Sequence, residues 1–195
     1  MATRQQRDVS PAADEDRAIA TITMAFTNDP VARWIFRDAN VYLTYCPGFL
    51  KAFAGSAFAN DSADSIDDCG GVALWLPPEV APDEETMDAI TEEAVPAAEQ
   101  EEVFAFLGQM GEFHPTEPHW YLPLIGVNVT KQGRGYGSAL LCHSLERCDR
   151  DQVPAYLEAT SLRNRSLYER HGFDELGIIQ AGSSPPMWPM QRRPH

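Results

Sequence analysis

Between Ala52 and Thr130 the chain has no lysine or arginine, a gap of 79 residues that holds 16 aspartates and glutamates. Recognition of a phosphate backbone needs clustered basic side chains, so no nucleic-acid partner is expected. No apolar run approaches the roughly 20 residues that cross a bilayer, and no membrane partner is expected either. The stretch from Met1 to Asp16 is polar and acidic and lacks the apolar segment of a signal peptide. Cysteine is scarce. Cys46, Cys69, Cys142 and Cys148 show neither C-x-x-C spacing nor a small secreted framework. They read as buried thiols in a reducing cytosol, which predicts a cytoplasmic location. The Asn-x-Ser/Thr triplets at Asn60, Asn128 and Asn164 then carry no glycosylation message. His114, His143, His171 and His195 lack metal-ligand spacing, so no metal is expected. Repeats and low-complexity tracts are missing.

What is present is a 195-residue chain, 44% hydrophobic, long enough for one well-cored domain and short for two. Its charge is unevenly divided. The first 51 residues hold six basic and six acidic side chains, and from Lys131 onward nine basic residues meet seven acidic ones. An acidic middle beside a mildly basic end suits a cationic ligand on one side and an anionic one on the other, though acidic residues also simply keep a surface soluble.

Local signals sketch the order of elements. Ser10-Pro11 followed by Asp14-Glu15-Asp16 reads as a capped helix start, with the helix running through Ile19, Ile22 and Phe26 to an interruption at Asp29-Pro30. A second helix is expected near Val41 to Phe58, with Pro47 marking a kink or break. Cys69-Gly70-Gly71 forms a turn into the apolar strand Val72–Leu76, ended by Pro77-Pro78. Two acidic helices follow, near Glu84–Glu93 and Glu99–Phe113. His119 to Val129 reads as a strand covered on both faces, in which Pro123 requires a bulge or an unpaired edge. Then come the Gly-rich loop Gln132–Gly137, a helix over about Gly135–Arg150, a strand over Ala155–Ala159, a helix over about Arg163–His171, and a strand pair carrying Ile178-Ile179 and Met187–Met190. This order describes an α/β (α+β) mixed sheet.

The Gly-rich loop between a strand and a helix is an anion site in outline. Glycines bring backbone N–H groups close to a phosphate, and the helix start adds its positive dipole end. Lys131 and Arg134 are the first cations after the 79-residue gap. The dinucleotide and P-loop spacings are both absent, and a ligand-free turn is the competing reading.

The segment Gln132–Gly137 resembles the Q/R-x-x-G-x-G/A motif of the GNAT acetyltransferase superfamily, and the resemblance continues through Val153–Thr160, Arg163-Asn164 and Leu167–Phe173. Within the superfamily the chain is most similar to the puromycin N-acetyltransferase-like group, with support from Ala25-Phe26, Asp29-Pro30, Val72–Trp75, Glu117-Pro118 and Trp120. The resemblance implies a single GNAT domain over 1–195. Residues about 1–118 would form an acceptor-side half with an acidic helical insertion near 83–113, and about 119–195 an acetyl-CoA-binding half. It also implies central strands splayed apart within a sheet flanked by helices on both faces. Acetyl-CoA would be the co-substrate. It would contact Ile125, Val127 and Val129 along the strand, and Gln132, Gly133, Arg134, Gly135, Tyr136, Gly137 and Ser138 around the pyrophosphate. Asn164 would hold the pantetheine arm or the helix start. A backbone N–H between Leu124 and Gly126 would serve as the oxyanion donor.

Acyl transfer from a thioester to an amine needs a neutral nucleophile, a stabilised oxyanion and a protonated leaving thiolate. By the same resemblance Tyr168 is the proton donor, where tyrosine before Gly-Phe is otherwise a packing residue. Glu158 is the first candidate for the general base, with a structural ion pair as its alternative. His119 is the second. Asp29, Trp34, Phe36, Tyr45, Trp75 and Glu158 are candidate acceptor-side residues, although each aromatic also fits a core position. The acceptor is expected to be a small-molecule amine, and the basic-free middle favours a cationic one. Two alternatives stand beside it: a protein or peptide N-acetyltransferase, and a non-catalytic acyl-CoA-binding regulatory module. Monomer and homodimer both remain open.

Overall fold

The computed structural model describes residues 8–195, so the segment Met1–Arg7 lies outside the described residues. Within them the elements run β1 (Val9–Pro11), α1 (Glu15–Ala25), α2 (Pro30–Ile35), α3 (Ala39–Ala54), α4 (Ser56–Ala59), β2 (Ala63–Ile66), β3 (Gly71–Leu76), α5 (Glu84–Ala94), α6 (Ala97–Phe113), β4 (Trp120–Val127), α7 (Tyr136–Asp151), β5 (Ala155–Ala159), α8 (Leu162–Glu169), β6 (Asp174–Glu175) and β7 (Trp188–Arg192). One seven-stranded mixed sheet joins them in the order β1-β2-β3-β4-β5-β7-β6.

Capping chemistry sets the helix starts, and one start differs from expectation. Ser10 and Pro11 lie in β1, paired with Ser65 and Asp64 of β2, so they cap nothing. Asp14 begins α1 instead, accepting from the Arg17 amide at 3.0 Å. Carboxylates are better caps than the Ser10 position could be once its backbone is committed to a ladder. The first helix stops at Ala25, short of the expected Asp29-Pro30 interruption, and Asp29 starts the next, taking the amides of Val31 and Ala32 with Pro30 at the first helical position. Pro47 neither breaks nor ends α3, which runs unbroken to Ala54.

Alternation along the central strands divides the core between two faces. Val72, Leu74 and Leu76 of β3 pack with α1, α2 and α3. Ala73 and Trp75 pack behind the sheet against Leu140, Leu141 and Leu145 of α7. A Cβ on Gly126 would come within 3.1 Å of Ala25 Cβ and Ile22 Cα, so α1 rests directly on β4 at that point.

The junction of β3, β4 and β5 matters most for function. Leu74 pairs with Leu124 but Leu76 pairs with Tyr121, a one-residue slip that places a bulge at Leu122-Pro123. Proline has no N–H for a ladder, and β4 meets β5 in parallel only at Trp120↔Ala155 and Tyr121↔Tyr156. Beyond Pro123 the two strands diverge, and the β5-facing edge of β4 has no strand partner among the described residues. The sheet is splayed at its centre.

Candidate active site

Three spaces meet at the splay. On one side a cleft of about 680 Å³ is walled by the open edge of β4, the loop before α7, and α8. Gly133 (φ 72°) and Gly135 (φ 82°) both adopt left-handed backbone, which only glycine takes without strain. They turn the chain so that α7 starts at the cleft, and no described side chain caps it. The Gly137 and Ser138 amides therefore have no intrahelical partner and lie at the positive end of a 16-residue helix. Arg163 and Arg170 of the α8 region add charge to the same walls. Lys131 is drawn aside: its Nζ lies 2.8 Å from Asp67 in the β2–β3 turn, which also accepts from the Tyr136 hydroxyl at 2.7 Å. Those two contacts hold the Asp67 carboxyl below the usual range and brace the loop from behind.

On the opposite side a cavity of about 710 Å³ opens between the β3 end, α5 and α6. Its body is apolar, with Phe53, Val80, Met87, Leu107 and Met110. Acidic groups also line it, at Glu79, Glu84 and Asp88, and His114, His119 and Tyr121 complete its wall.

A narrow apolar passage of about 70 Å³ lies between the two, lined by Pro123 and Leu124 of β4, by Glu158 of β5 and by Thr160 just after it. It shares Phe26 and Asp29 with the cleft, and Phe53, Met87, Leu107 and Met110 with the cavity. Two carboxyls face this passage. Asp29 accepts the Val31 and Ala32 amides at 3.0 and 3.1 Å and the Thr160 hydroxyl, which ties the start of α2 across to the end of β5. Burial raises its pKa, against the opposing pull of those hydrogen bonds. The Glu158 side chain is 3% exposed and accepts from the Tyr121 hydroxyl at 2.8 Å. Its other oxygen makes no hydrogen bond and lies 3.5 Å from His114 Nε2. Tyr168, 5% exposed, lines the cleft where it meets Asp29. Burial raises its pKa first, and the charges of Asp29 and Glu158 raise it further, so the phenol holds its proton. His119 shifts the other way, lowered chiefly by burial.

Most of the residues expected at the cofactor line the one cleft: Ile125, Val127, Val129, Gln132, Gly133, Gly135, Tyr136, Gly137, Ser138, Asn164 and Tyr168. Arg134 is not among its walls. Val129 stands beyond the end of β4, in a 3₁₀ turn over Val129–Lys131, and not in the strand as expected. The start of α8 is held by the Ser161 hydroxyl, which accepts the Asn164 amide at 3.2 Å, so the Asn164 side chain is not needed there. On the acceptor side Asp29, Phe36 and Glu158 line the passage. Trp75 does not: it is fully buried in the core under α7. Trp34 packs on Phe106 of α6 and donates to Ser183, and Tyr45 donates to Glu93, so both brace helices, and neither lines the cleft, the cavity or the passage. Cys142 is exposed, unlike the other three cysteines. Sequence reasoning passed over Arg170 and His114; the former lies on a helix end and the latter after a helix, with no local pattern to mark either.

A family model described as the acetyltransferase (GNAT) family matches residues 67–173. An uncharacterized N-acetyltransferase of Schizosaccharomyces pombe is 43% identical over 54 residues, which make up 28% of this chain and only 22% of that relative's length. Among solved structures, a Corynebacterium glutamicum protein described as histone acetyltransferase HPA2 and related acetyltransferase is 28% identical over 98% of both chains, with a TM-score of 0.72. Arylalkylamine N-acetyltransferase 2 from Aedes aegypti shares the fold at 15% identity over 98% of this chain and 100% of that one, with a TM-score of 0.69.

Proposed function

Because the chain belongs to the acetyltransferase (GNAT) family, we propose that it is an acetyl-CoA-dependent N-acyltransferase that acetylates the primary amine of a small molecule by direct attack in a ternary complex. One observation carries the reading: the Gly-loop cleft and the acid-lined cavity meet at the splay, where Tyr168, Asp29 and Glu158 converge.

The amides of the first α7 turn would hold the pyrophosphate, with Arg163 and Arg170 balancing charge, and the open edge of β4 at Ile125 and Val127 would take the pantetheine as an added strand. That fit rests on the uncapped helix start and the left-handed glycines. The thioester would then lie at the passage, near the backbone of Leu124 to Gly126, where an N–H stabilises the oxyanion. Glu158 accepts the proton that the ammonium must lose, the amine attacks the carbonyl carbon, and the C–S bond breaks as Tyr168 protonates the sulfur and takes a proton back from the attacking nitrogen. His119 lines the cavity and not the passage, so Glu158 comes before it as the base. Asp29 holds a fixed negative charge beside the amine. An apolar body with acidic groups favours a cationic amine on an apolar scaffold, which agrees with a resemblance to the puromycin N-acetyltransferase-like group.

A second reading, a lysine-bearing peptide as acceptor, draws on the same acidic groups and on the description of the Corynebacterium protein. The apolar body of the cavity, at Phe53, Val80, Met87, Leu107 and Met110, favours the small-molecule reading. A panel of primary amines (phenethylamine, tyramine, spermidine, puromycin) and a basic peptide array, with free thiol as the readout, separates the two. With any acceptor that turns over, Tyr168→Phe loses more than tenfold in kcat and keeps its affinity for acetyl-CoA. Unchanged turnover removes Tyr168 from the mechanism.

A further inference from the structure

Ser138 lines the cleft on the first turn of α7, and its hydroxyl meets a side chain from another part of the chain. Its Oγ lies 2.8 Å from His171 Nε2. The other ring nitrogen, Nδ1, faces the Cys142 sulfur one turn further along α7, at 3.8 Å. His171 itself is not among the cleft walls. It stands in the turn that closes α8, where its amide donates to the Tyr168 carbonyl at 2.8 Å and Gly172 takes left-handed backbone, φ 85°. The two helices touch here, since a Cβ on Gly137 would stand 3.4 Å from Leu167 Cδ2. One short segment therefore places both the Tyr168 phenol in the cleft and an imidazole behind the start of α7.

Hydrogen counting decides what that imidazole can do. Burial, followed by the charges of Arg170 and Arg192, lowers the His171 pKa, so at pH 7 the ring is neutral and carries one hydrogen. With that hydrogen on Nδ1, Nε2 takes the Ser138 hydrogen, and the oxygen turns only lone pairs to the cleft. With it on Nε2, the ring donates to Oγ, and the Ser138 hydrogen is left for an acceptor in the cleft. The Cys142 sulfur does not settle the choice, because sulfur is a weak donor and a weak acceptor alike. A diphosphate does settle it. The Ser138 amide is one of the two at the start of α7 without an intrahelical partner, so its hydroxyl stands beside any anion held there. Phosphate oxygens accept; they attract the second arrangement and repel the first. Donation from the ring also polarises the serine O–H, which strengthens its bond to the anion.

Resting on the assignment of this cleft to acetyl-CoA, we propose that His171 is a positioning residue for the diphosphate: it donates from Nε2 to Ser138 Oγ and so turns the one serine hydrogen toward the phosphate oxygens. No bond of the substrate is made or broken by this contact. Its effect falls on cofactor affinity and leaves the chemistry to Tyr168 and Glu158.

A double-mutant cycle read by calorimetric titration with CoA tests the assignment. Ser138→Ala should weaken binding about tenfold, the loss expected for one hydrogen bond to a charged acceptor. His171→Leu should weaken it about fivefold alone and not at all in the Ser138→Ala background, because its effect passes through that hydroxyl. His171→Gln, whose amide N–H can replace the Nε2–H, should stay within about twofold of wild type. No loss in His171→Leu, or the same loss in both backgrounds, would mean that His171 only packs; the proposal then falls while the cleft keeps its cofactor. Wild-type affinity in Ser138→Ala has the same consequence. Failure of the wild-type protein to take up CoA removes the cleft assignment and the proposal together. The tautomer gives a direct reading. In ¹⁵N NMR of histidine-labelled protein saturated with CoA, the ring signals that His171→Gln abolishes should show hydrogen on Nε2. Hydrogen on Nδ1 alone overturns the proposal.

Discussion

Asp29 shows how one carboxylate can serve the fold and the site together. One oxygen caps α2, taking the Val31 and Ala32 amides, and the other takes the Thr160 hydroxyl at the passage. The two roles separate by substitution. Asn caps a helix nearly as well as Asp, whereas Ala loses about 1 kcal/mol of capping. Burial holds the Asp29 pKa above its unfolded value, so ionisation costs the folded state stability at every pH above that range. Asp29→Asn removes this cost, and its Tm at pH 7 should be no lower than wild type. If the charge attracts the amine, the same variant raises the acceptor KM severalfold with acetyl-CoA affinity unchanged. A lowered Tm with unchanged KM assigns Asp29 to the fold alone. Asp29 stood out as an acid at an Asp-Pro break and Glu158 only through the resemblance, and both line the passage. His114 did not stand out, since it meets Glu158 from another element. Aromatic identity misled at Trp75, Trp34 and Tyr45, because a large ring is equally at home behind the sheet, between helices or in a pocket.

Among elements, the loop before α7 was the most legible and β1–β2 the least. Gly133 and Gly135 advertise left-handed backbone in their own residue type. Ala63–Ile66 carries Asp64 and Ser65 where a strand should be apolar. These are tolerated because Ser144 and Arg147 of α7 meet Asp64 at 2.7 and 3.2 Å, a partnership no local pattern reveals. The bulge at Leu122-Pro123 was foreseeable from proline's missing donor, but the strand that departs there was known only through the resemblance. The α7 start gives an element-scale prediction. At Gly135, with φ 82°, alanine brings a Cβ penalty of about 1–2 kcal/mol per residue. The chain can escape this strain only by moving the first turn. Gly135→Ala should therefore weaken acetyl-CoA binding about tenfold by calorimetry, with a modest fall in Tm. Gly108→Ala, at a helical glycine with nothing within 4 Å of the added Cβ, is the control. Undiminished affinity in Gly135→Ala would mean that those amides do not grip the diphosphate.

For the molecule as a whole, the cleft and the cavity divide the charge, though not along the boundary near residue 118. The cleft takes Phe26, Asp29 and Pro30 from the first part of the chain, and the cavity takes His119 and Tyr121 from the second. What separates the sites is sign: Arg163, Arg170 and a helix start on one side, Glu79, Glu84 and Asp88 on the other. Net charge is −14 at pH 7, so the field of the whole protein favours an incoming cation and opposes an incoming anion. Salt weakens both effects, since the Debye length falls from about 10 Å at 0.1 M to about 3 Å at 1 M. The same screening relieves self-repulsion in the compact state. Raising NaCl from 0.02 to 0.5 M should therefore lower kcat/KM for a cationic amine by roughly tenfold, a steering effect, while the Tm rises. The opposed directions exclude salt-induced unfolding as the cause of the lost rate. A neutral-bodied amine such as phenethylamine should lose less than spermidine, because steering scales with ligand charge. Equal losses for the two would show that the acidic walls of the cavity do not select the acceptor.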